Sequence, residues 1–114
     1  MIYVKSDKEI ELMRKPCAIV RDVLNLVQDK IRAGMTTKEL DRIAHEYITS
    51  CGATPSFLGY GGFPAATCIS IDEVVVHGFP SDRIIEEGQI VSVDVGAYCN
   101  GFHGDAARSL YVGN

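Results

Sequence analysis

The chain has 114 residues, of which 46% are hydrophobic and 23% are charged, and its formal net charge is -4 at pH 7. This length and composition are typical of one globular domain with a modest core. The acidic balance argues against nucleic acid as a partner, and no apolar run is long enough for a membrane span or a secretory signal. We therefore expect one cytoplasmic domain over residues 1–114, with neither a nucleic-acid nor a membrane partner.

The cysteines have no CxxC spacing and stand among apolar or small residues. In a chain without a secretory signal, this pattern favours reduced packing residues over a zinc site or a disulfide framework. We predict that role for all four: Cys17, Cys51, Cys68 and Cys99.

A first helix is predicted to begin at a capping box, Ser6 with Glu9, and to end before Gly34. Pro16 lies inside the pattern, and because it lacks an N–H we expect a kink there or a helix that restarts. Apolar residues at spacings of three and four predict one buried face. These residues are Ile10, Met13, Cys17, Val20, Leu24, Val27 and Ile31.

A second helix is predicted from a second capping box, Thr36 with Glu39, to Gly52. Its His45 lies off the apolar face, which indicates a solvated surface position. The predicted buried face consists of Leu40, Ile43, Ala44, Tyr47 and Ile48.

Residues 53–64 are rich in glycine, proline and aromatic residues, which predicts an irregular loop displaying Phe57, Tyr60 and Phe63. Phosphate binding by its glycines is the weaker interpretation, because no P-loop lysine and no helix start follow. Residues 67–80 are rich in β-branched side chains and predict a strand, or a bent pair of strands, ending near His77. Residues 81–89 form a polar connection.

Two further strand candidates, 90–98 and 102–112, are joined by Asn100 and Gly101. This dipeptide accepts the positive φ angles of a type I′ turn, so the two strands are predicted to form a hairpin.

Counting outward from a two-residue turn places Asp94 opposite Ala107 and Asp105 opposite Gly96, with His103 on the same face. The aspartates are then diagonal neighbours, with Cα atoms about 7–8 Å apart and free space beside Gly96 and Ala107. Two carboxylates this close repel unless a cation lies between them, and two divalent ions about 3.5–4 Å apart would fit. The alternative is an exposed face with two unrelated acids. His103 is either a further ligand or a residue that supports the site by hydrogen bonding.

The segments "GYGGFP", "CISIDEVVVHGFP" and "IVSVDVGAYCNGFHGDAARSLYVG" resemble the bacterial type I methionine aminopeptidases, which have the pita-bread fold. The resemblance runs from the first helix to the last residue. It implies a centre of two divalent ions (Co, Mn, Fe or Zn) bound by Asp94 and Asp105, with Asp105 bridging both. It does not carry His103 over as a ligand.

The resemblance also implies a substrate, the N-terminal methionyl peptides of new proteins. His77 would contact the substrate amide and help to stabilise the transition state. The pocket for the methionine side chain would be lined by Phe57, Tyr60, Phe63 and Cys68.

The implied fold class is α+β, the N-terminal half of a pita-bread domain, with two helices on an antiparallel sheet. Family members carry the remaining ligands, a histidine and glutamates, in a second half. We therefore expect this chain to be inactive by itself, and to form a homodimer or to associate with such a half. The alternatives are a non-catalytic pita-bread module that binds peptides or proteins and a proline-specific exopeptidase. The retained Asp94, Asp105 and His77, and the "GYGGFP" loop, favour the methionine enzyme.

Overall fold

Two helices cover one face of a four-stranded antiparallel sheet in the computed structural model, which describes residues 7–57, 65–72 and 80–113. The predicted Ser6 cap, Tyr60, Phe63 and His77 lie outside the described residues. The elements in chain order are α1 (Asp7–Lys30), α2 (Thr37–Ser50), β1 (Thr54–Pro55), β2 (Thr67–Ile71), β3 (Ile90–Cys99) and β4 (Phe102–Tyr111). The predicted α+β class is confirmed.

Helix α1 is one uninterrupted helix through Pro16, so of the two predicted alternatives, a kink or a restart, the restart is wrong. The predicted buried face is right from Val20 onward and wrong in the first turns, where Ile10 is 43% exposed and Cys17 is also exposed. The inward-facing residues are Pro16, Ile19, Val20, Val23, Leu24 and Val27.

The physical reason is a close approach between the backbones of α1 and β4. A Cβ atom added at Gly104 would lie 2.8 Å from the carbonyl carbon of Pro16 and 2.8 Å from the nitrogen of Cys17. The helix therefore packs on the strand through its backbone at this point. Pro16 is the buried residue here, whereas the Cys17 side chain faces solvent, contrary to its predicted packing role.

Helix α2 begins and ends as predicted. The hydroxyl of Thr36 accepts a hydrogen bond from the Glu39 N–H at 3.2 Å, and Gly52 follows the helix with a φ of +78°. Leu40, Ala44 and Ile48 are buried on the core side. His45 is half-buried rather than fully solvated.

Strands β3 and β4 form the predicted hairpin. Asn100 and Gly101 have φ angles of 55° and 83°, the positive values that a type I′ turn requires. The pairing continues residue by residue from Cys99 opposite Phe102 to Ile90 opposite Tyr111, without a bulge. The register counted from the sequence is therefore confirmed.

Strand β3 is flanked on its other edge by β2 and β1. Residues Thr67–Ile71 pair antiparallel with Val91–Val95, and Thr54 and Pro55 lie opposite Tyr98 and Ala97. The predicted strand after residue 67 is confirmed as far as residue 71, whereas the predicted irregular loop begins with a two-residue strand.

The two faces of the sheet differ in character because side chains alternate along each strand. Valines 91, 93 and 95 face the helices and are at most 1% exposed, and Ile69 and Ile71 on the same face are also buried, at 4% and 3% exposed. The opposite side, which we call the open face, carries Cys68, Ser70, Ile90, Ser92, Asp94, Gly96, Tyr98, His103, Asp105, Ala107, Ser109 and Tyr111.

The connection at residues 81–89 is polar, as predicted, but it contains the fully buried Ile85. The N–H of Ile85 donates to the Met35 carbonyl at 2.7 Å, and its own carbonyl accepts from the Gly34 N–H at 2.8 Å. The connection is thus fixed against the turn between the two helices.

No helix among the described residues is long and apolar enough to cross a membrane.

Candidate metal centre

Two carboxylates lie together on the open face of the hairpin. Asp94 is directly opposite Ala107 on β4, and Asp105 is directly opposite Gly96 on β3, so the aspartates are diagonal neighbours. Asp94, in the middle of β3, is half-buried, while Asp105 on β4 is exposed.

The environment of Asp94, including the charge of Asp105, changes its protonation equilibrium. Burial raises the pKa of Asp94 above its usual value, and the negative charge of Asp105 raises it further. Both causes disfavour the ionised form of Asp94. A cation beside the pair would counteract the second effect, because its positive charge would favour the ionised form of both carboxylates.

Cys68 stands beside this pair, directly opposite Asp94 on β2. Burial raises the pKa of the Cys68 thiol, and the charge of Asp94 contributes in the same direction. The side chain therefore remains a neutral, polarisable thiol at neutral pH. It is a half-buried, neutral side chain next to Asp94 rather than an activated nucleophile.

Asp41 on α2 anchors the start of β2, a role that the sequence reasoning missed. Its Oδ1 atom accepts hydrogen bonds from the N–H groups of Ala66 (3.0 Å) and Thr67 (2.8 Å), and from the Thr67 hydroxyl (2.7 Å). Thr67 is fully buried, and Cys68 is the next residue. The sequence pattern around Asp41 shows only an acidic residue on an amphipathic helix, and it gives no indication that its partner lies 26 positions away.

A second group of side chains lies beside Asp105. The Ser56 hydroxyl is 2.8 Å from Nδ1 of His103, and the His103 ring contacts the Tyr98 ring with centroids 4.5 Å apart. The Ser56 N–H donates to the Gly96 carbonyl at 3.0 Å. His103 was predicted as either a ligand or a supporting residue, and these contacts favour the supporting role.

The same group corrects one detail of the predicted site. A Cβ atom at Gly96 would lie 2.9 Å from Cβ of Ser56. The space expected beside Gly96 is therefore filled by Ser56. Sequence reasoning missed Ser56 because a serine in a loop gives no indication of a partner 47 residues away.

The open face thus brings together three of the predicted site residues, Asp94, Asp105 and Cys68. Phe57, predicted for the side-chain pocket, is half-buried and follows Ser56 directly. Among the residues that the structure describes, no three His, Cys, Asp or Glu side chains converge on a common point. The donor set here is a carboxylate pair.

A carboxylate pair is chemically suited to divalent cations. Hard cations such as Mn²⁺ and Mg²⁺ prefer carboxylate oxygens, and a positive charge would relieve the repulsion that raises the pKa of Asp94. Asp94 and Asp105 fit a metal centre, and they are the described residues that would hold it.

Comparison with known proteins agrees with this chemistry. Residues 11–114 match metallopeptidase family M24. The chain is 55% identical to the methionine aminopeptidase of Clostridium perfringens over 114 residues, which are all of this chain and 46% of that protein. The crystal structure of methionine aminopeptidase from Rickettsia prowazekii superimposes with a TM-score of 0.94 at 37% identity, covering 100% of this chain and 46% of that one.

A proline-specific relative is less similar. The crystal structure of X-Pro aminopeptidase from Thermotoga maritima has a TM-score of 0.78 at 26% identity, covering 97% of this chain and 30% of that one. The fold is thus shared across the pita-bread proteins, while the similarity is greater to the methionine enzymes. The chain spans about half the length of the curated relatives it matches. With a match over nearly all of its residues, it belongs to metallopeptidase family M24.

Proposed function

We propose that this chain supplies the N-terminal half of a methionine aminopeptidase catalytic domain, in which Asp94 and Asp105 would hold the divalent metal ions. One observation carries the proposal: the unbroken hairpin register places both carboxylates as diagonal neighbours on the open face. The names of its relatives support the choice of methionine aminopeptidase over other hydrolases.

Two divalent ions, when bound, would supply a water activated for attack and would polarise the scissile carbonyl. The contribution of this chain is to hold the ions through the carboxylates of Asp94 and Asp105 and to keep these carboxylates in a fixed arrangement. Strand β3 keeps Asp94 half-buried, and the pairing with β4 fixes its position relative to Asp105. Because the two strands are paired along their full length, the backbone positions of both carboxylates are set before any ligand arrives.

The substrate side chain would lie beside these acids. We propose that Cys68 and Phe57, with Tyr60 and Phe63, form the wall of the methionine pocket. A neutral thiol and aromatic rings suit a thioether, since contacts between sulfur and aromatic rings contribute about 0.3–1.5 kcal/mol each. His77 completes the proposal as the group that contacts the substrate amide and stabilises the transition state.

The relatives contain about as much chain again as the stretch matched here. The open face has exposed apolar side chains at Ile90 (49%), Tyr98 (41%) and Tyr111 (71%), and within the described residues β4 pairs only with β3. An uncovered edge strand beside exposed aromatic residues favours association. We propose that a segment equivalent to the other half of the relatives covers this face.

The substrates in this proposal are the N-terminal methionyl peptides of new proteins, encountered in the cytoplasm. A proline-specific exopeptidase is the weaker alternative, given the lower similarity to that group. A non-catalytic binding module would have no need of two mutually repelling carboxylates on the open face.

A complementation experiment tests the proposal. The chain is co-expressed with the unmatched half of the Clostridium perfringens relative, loaded with Mn²⁺, and assayed for methionine release from a Met-Ala-Ser peptide. We expect release by the pair, loss of release in Asp105→Asn, and no effect of Asp29→Asn, an exposed aspartate on α1. Cleavage of a Xaa-Pro peptide instead, or equal activity of Asp105→Asn, would contradict the proposal. Sedimentation of the chain alone shows whether it is a homodimer or a monomer in the absence of the complementary half.

A further inference from the structure

His103 and Ser56 make a contact that the proposed metal centre does not use. The Ser56 hydroxyl and Nδ1 of His103 are 2.8 Å apart, although the residues are separated by 47 positions in the chain. His103 lies on the open face two positions before Asp105. The contact therefore connects the hairpin that carries the proposed ligands to another part of the molecule.

Ser56 occupies a defined position in the fold. It follows directly after β1, and it directly precedes Phe57. Its N–H donates to the Gly96 carbonyl at 3.0 Å, and its Cβ occupies the space that a side chain at Gly96 would need. Ser56 thus contacts the hairpin through its backbone N–H, its Cβ and its hydroxyl. Of these contacts, only that of the hydroxyl depends on a side chain of the hairpin, that of His103.

The His103 side chain is itself restrained from a second direction. Its ring contacts that of Tyr98, directly opposite on β3, with an interplanar angle of 41°. A ring at position 103 is needed for this contact, and a nitrogen at the δ1 position is needed for Ser56. Histidine satisfies both requirements at once.

We propose that His103 is a positioning residue: through Ser56 it fixes the adjacent pocket residue Phe57 relative to the hairpin that carries Asp105. The proposal rests on the proposed function for the role of Phe57. It gives His103 a part in methionine recognition without making it a metal ligand.

Two variants of His103 separate its contacts. His103→Phe keeps a ring against Tyr98 and removes the hydrogen bond, whereas His103→Asn keeps a polar atom near the Nδ1 position and removes the ring. Ser56→Ala removes the same hydrogen bond from the other side and keeps the Cβ that packs on Gly96. All three changes are at exposed or half-buried positions, which tolerate substitution well.

The first readout is the amide NMR spectrum of the ¹⁵N-labelled chain without metal. We expect His103→Phe and Ser56→Ala to shift the same amides, those of Ser56 and Phe57. We expect the double variant to shift them no further, and His103→Asn to restore them towards wild type. An unmoved Phe57 amide in His103→Phe, which lies 47 positions away in the chain, or additive shifts in the double variant, would overturn the proposal. If His103→Phe does not fold, the kinetic readout of Ser56→Ala decides the outcome.

The second readout is kinetic and uses the chain paired with the complementary half. Loss of one hydrogen bond should raise KM for a methionyl peptide about 2- to 12-fold with a smaller change in kcat. Mn²⁺ affinity should be unchanged, because His103 is not a ligand. Affinity loss equal to that of Asp105→Asn would overturn the proposal. An inactive pair would count against the proposed function alone, since the NMR result does not depend on activity.

Discussion

Asp41 on α2 and Thr67 at the start of β2 are joined by two hydrogen bonds to one carboxylate oxygen, from the Thr67 N–H at 2.8 Å and from its hydroxyl at 2.7 Å. Thr67 is fully buried, so its polar groups have no access to solvent. The same oxygen also accepts from the Ala66 N–H. This contact holds the strand that places Cys68 opposite Asp94.

We predict that Asp41→Ala lowers the free energy of unfolding by about 1–3 kcal/mol, because it leaves buried donors without an acceptor. Asp41→Asn should cost less, since its amide oxygen can still accept. Urea denaturation of both variants measures the effect. Asp29→Ala, at an exposed site on α1, serves as the control. Equal stabilities of Asp41→Ala and Asp29→Ala would show that Asp41 does not hold Thr67.

The contact between α1 and β4 depends on the absence of a side chain at Gly104. We predict that Gly104→Ala destabilises the fold by about 1–3 kcal/mol, because the added Cβ would press on backbone atoms of Pro16 and Cys17 that cannot move alone. Thermal unfolding measures the loss. Ala106→Ser, an exposed position on the same strand, should change stability by less than about 0.5 kcal/mol. A Gly104→Ala variant as stable as wild type would mean that the helix can shift away from the strand.

The hairpin illustrates what the sequence can predict. Asn100 and Gly101 determine the turn type, and the side-chain period of two then determines every pair along both strands. The relative placement of Asp94 and Asp105 followed from this local rule alone. The helix caps at Thr36 and Gly52 were predictable for the same reason, because capping depends on residues within one turn.

The contacts that were not predicted are those between distant parts of the chain. Helical periodicity assigned Cys17 to the core, but whether the backbone itself approaches the sheet there depends on Gly104 on another element. The partners of Asp41 and of His103 lie 26 and 47 positions away, and no periodic pattern indicates them. The supporting contacts of the site could therefore be identified only from the folded structure, whereas the carboxylate pair could be predicted from the sequence.

The raised pKa of Asp94 predicts a pH dependence of stability in the absence of metal. A carboxyl group whose pKa is higher in the folded state binds its proton more tightly there, so it favours folding at low pH. This contribution is complete below the unfolded-state pKa and is lost as the pH rises through the folded-state pKa. At neutral pH the ionised Asp94 is thus unfavourable, through burial first and the charge of Asp105 second.

We therefore expect Asp94→Asn to be more stable than wild type at pH 7, with the difference disappearing as the pH falls and Asp94 becomes protonated. Denaturation curves of both proteins across the acidic range measure this difference and cancel the effects of other carboxylates. Asp105→Asn should lower the pKa of Asp94, which carboxyl ¹³C NMR would record. An Asp94→Asn variant less stable than wild type at pH 7 would contradict the assigned direction.

Metal binding by the chain alone should be weak, because Asp94 and Asp105 offer fewer oxygen donors than the six to eight typical of tight sites for hard cations. We predict a Kd for Mn²⁺ above about 10 µM. Asp105→Asn should abolish this binding, and Asp29→Asn should leave the Kd unchanged. Isothermal titration, with paramagnetic broadening of the Asp94 and Asp105 amides to locate the ion, measures both quantities. Adding the complementary half should tighten binding by at least about 10-fold, since additional ligands raise affinity cooperatively. A site of micromolar or tighter affinity in the chain alone, lost in Asp105→Asn, would show that further donors of this chain complete the coordination.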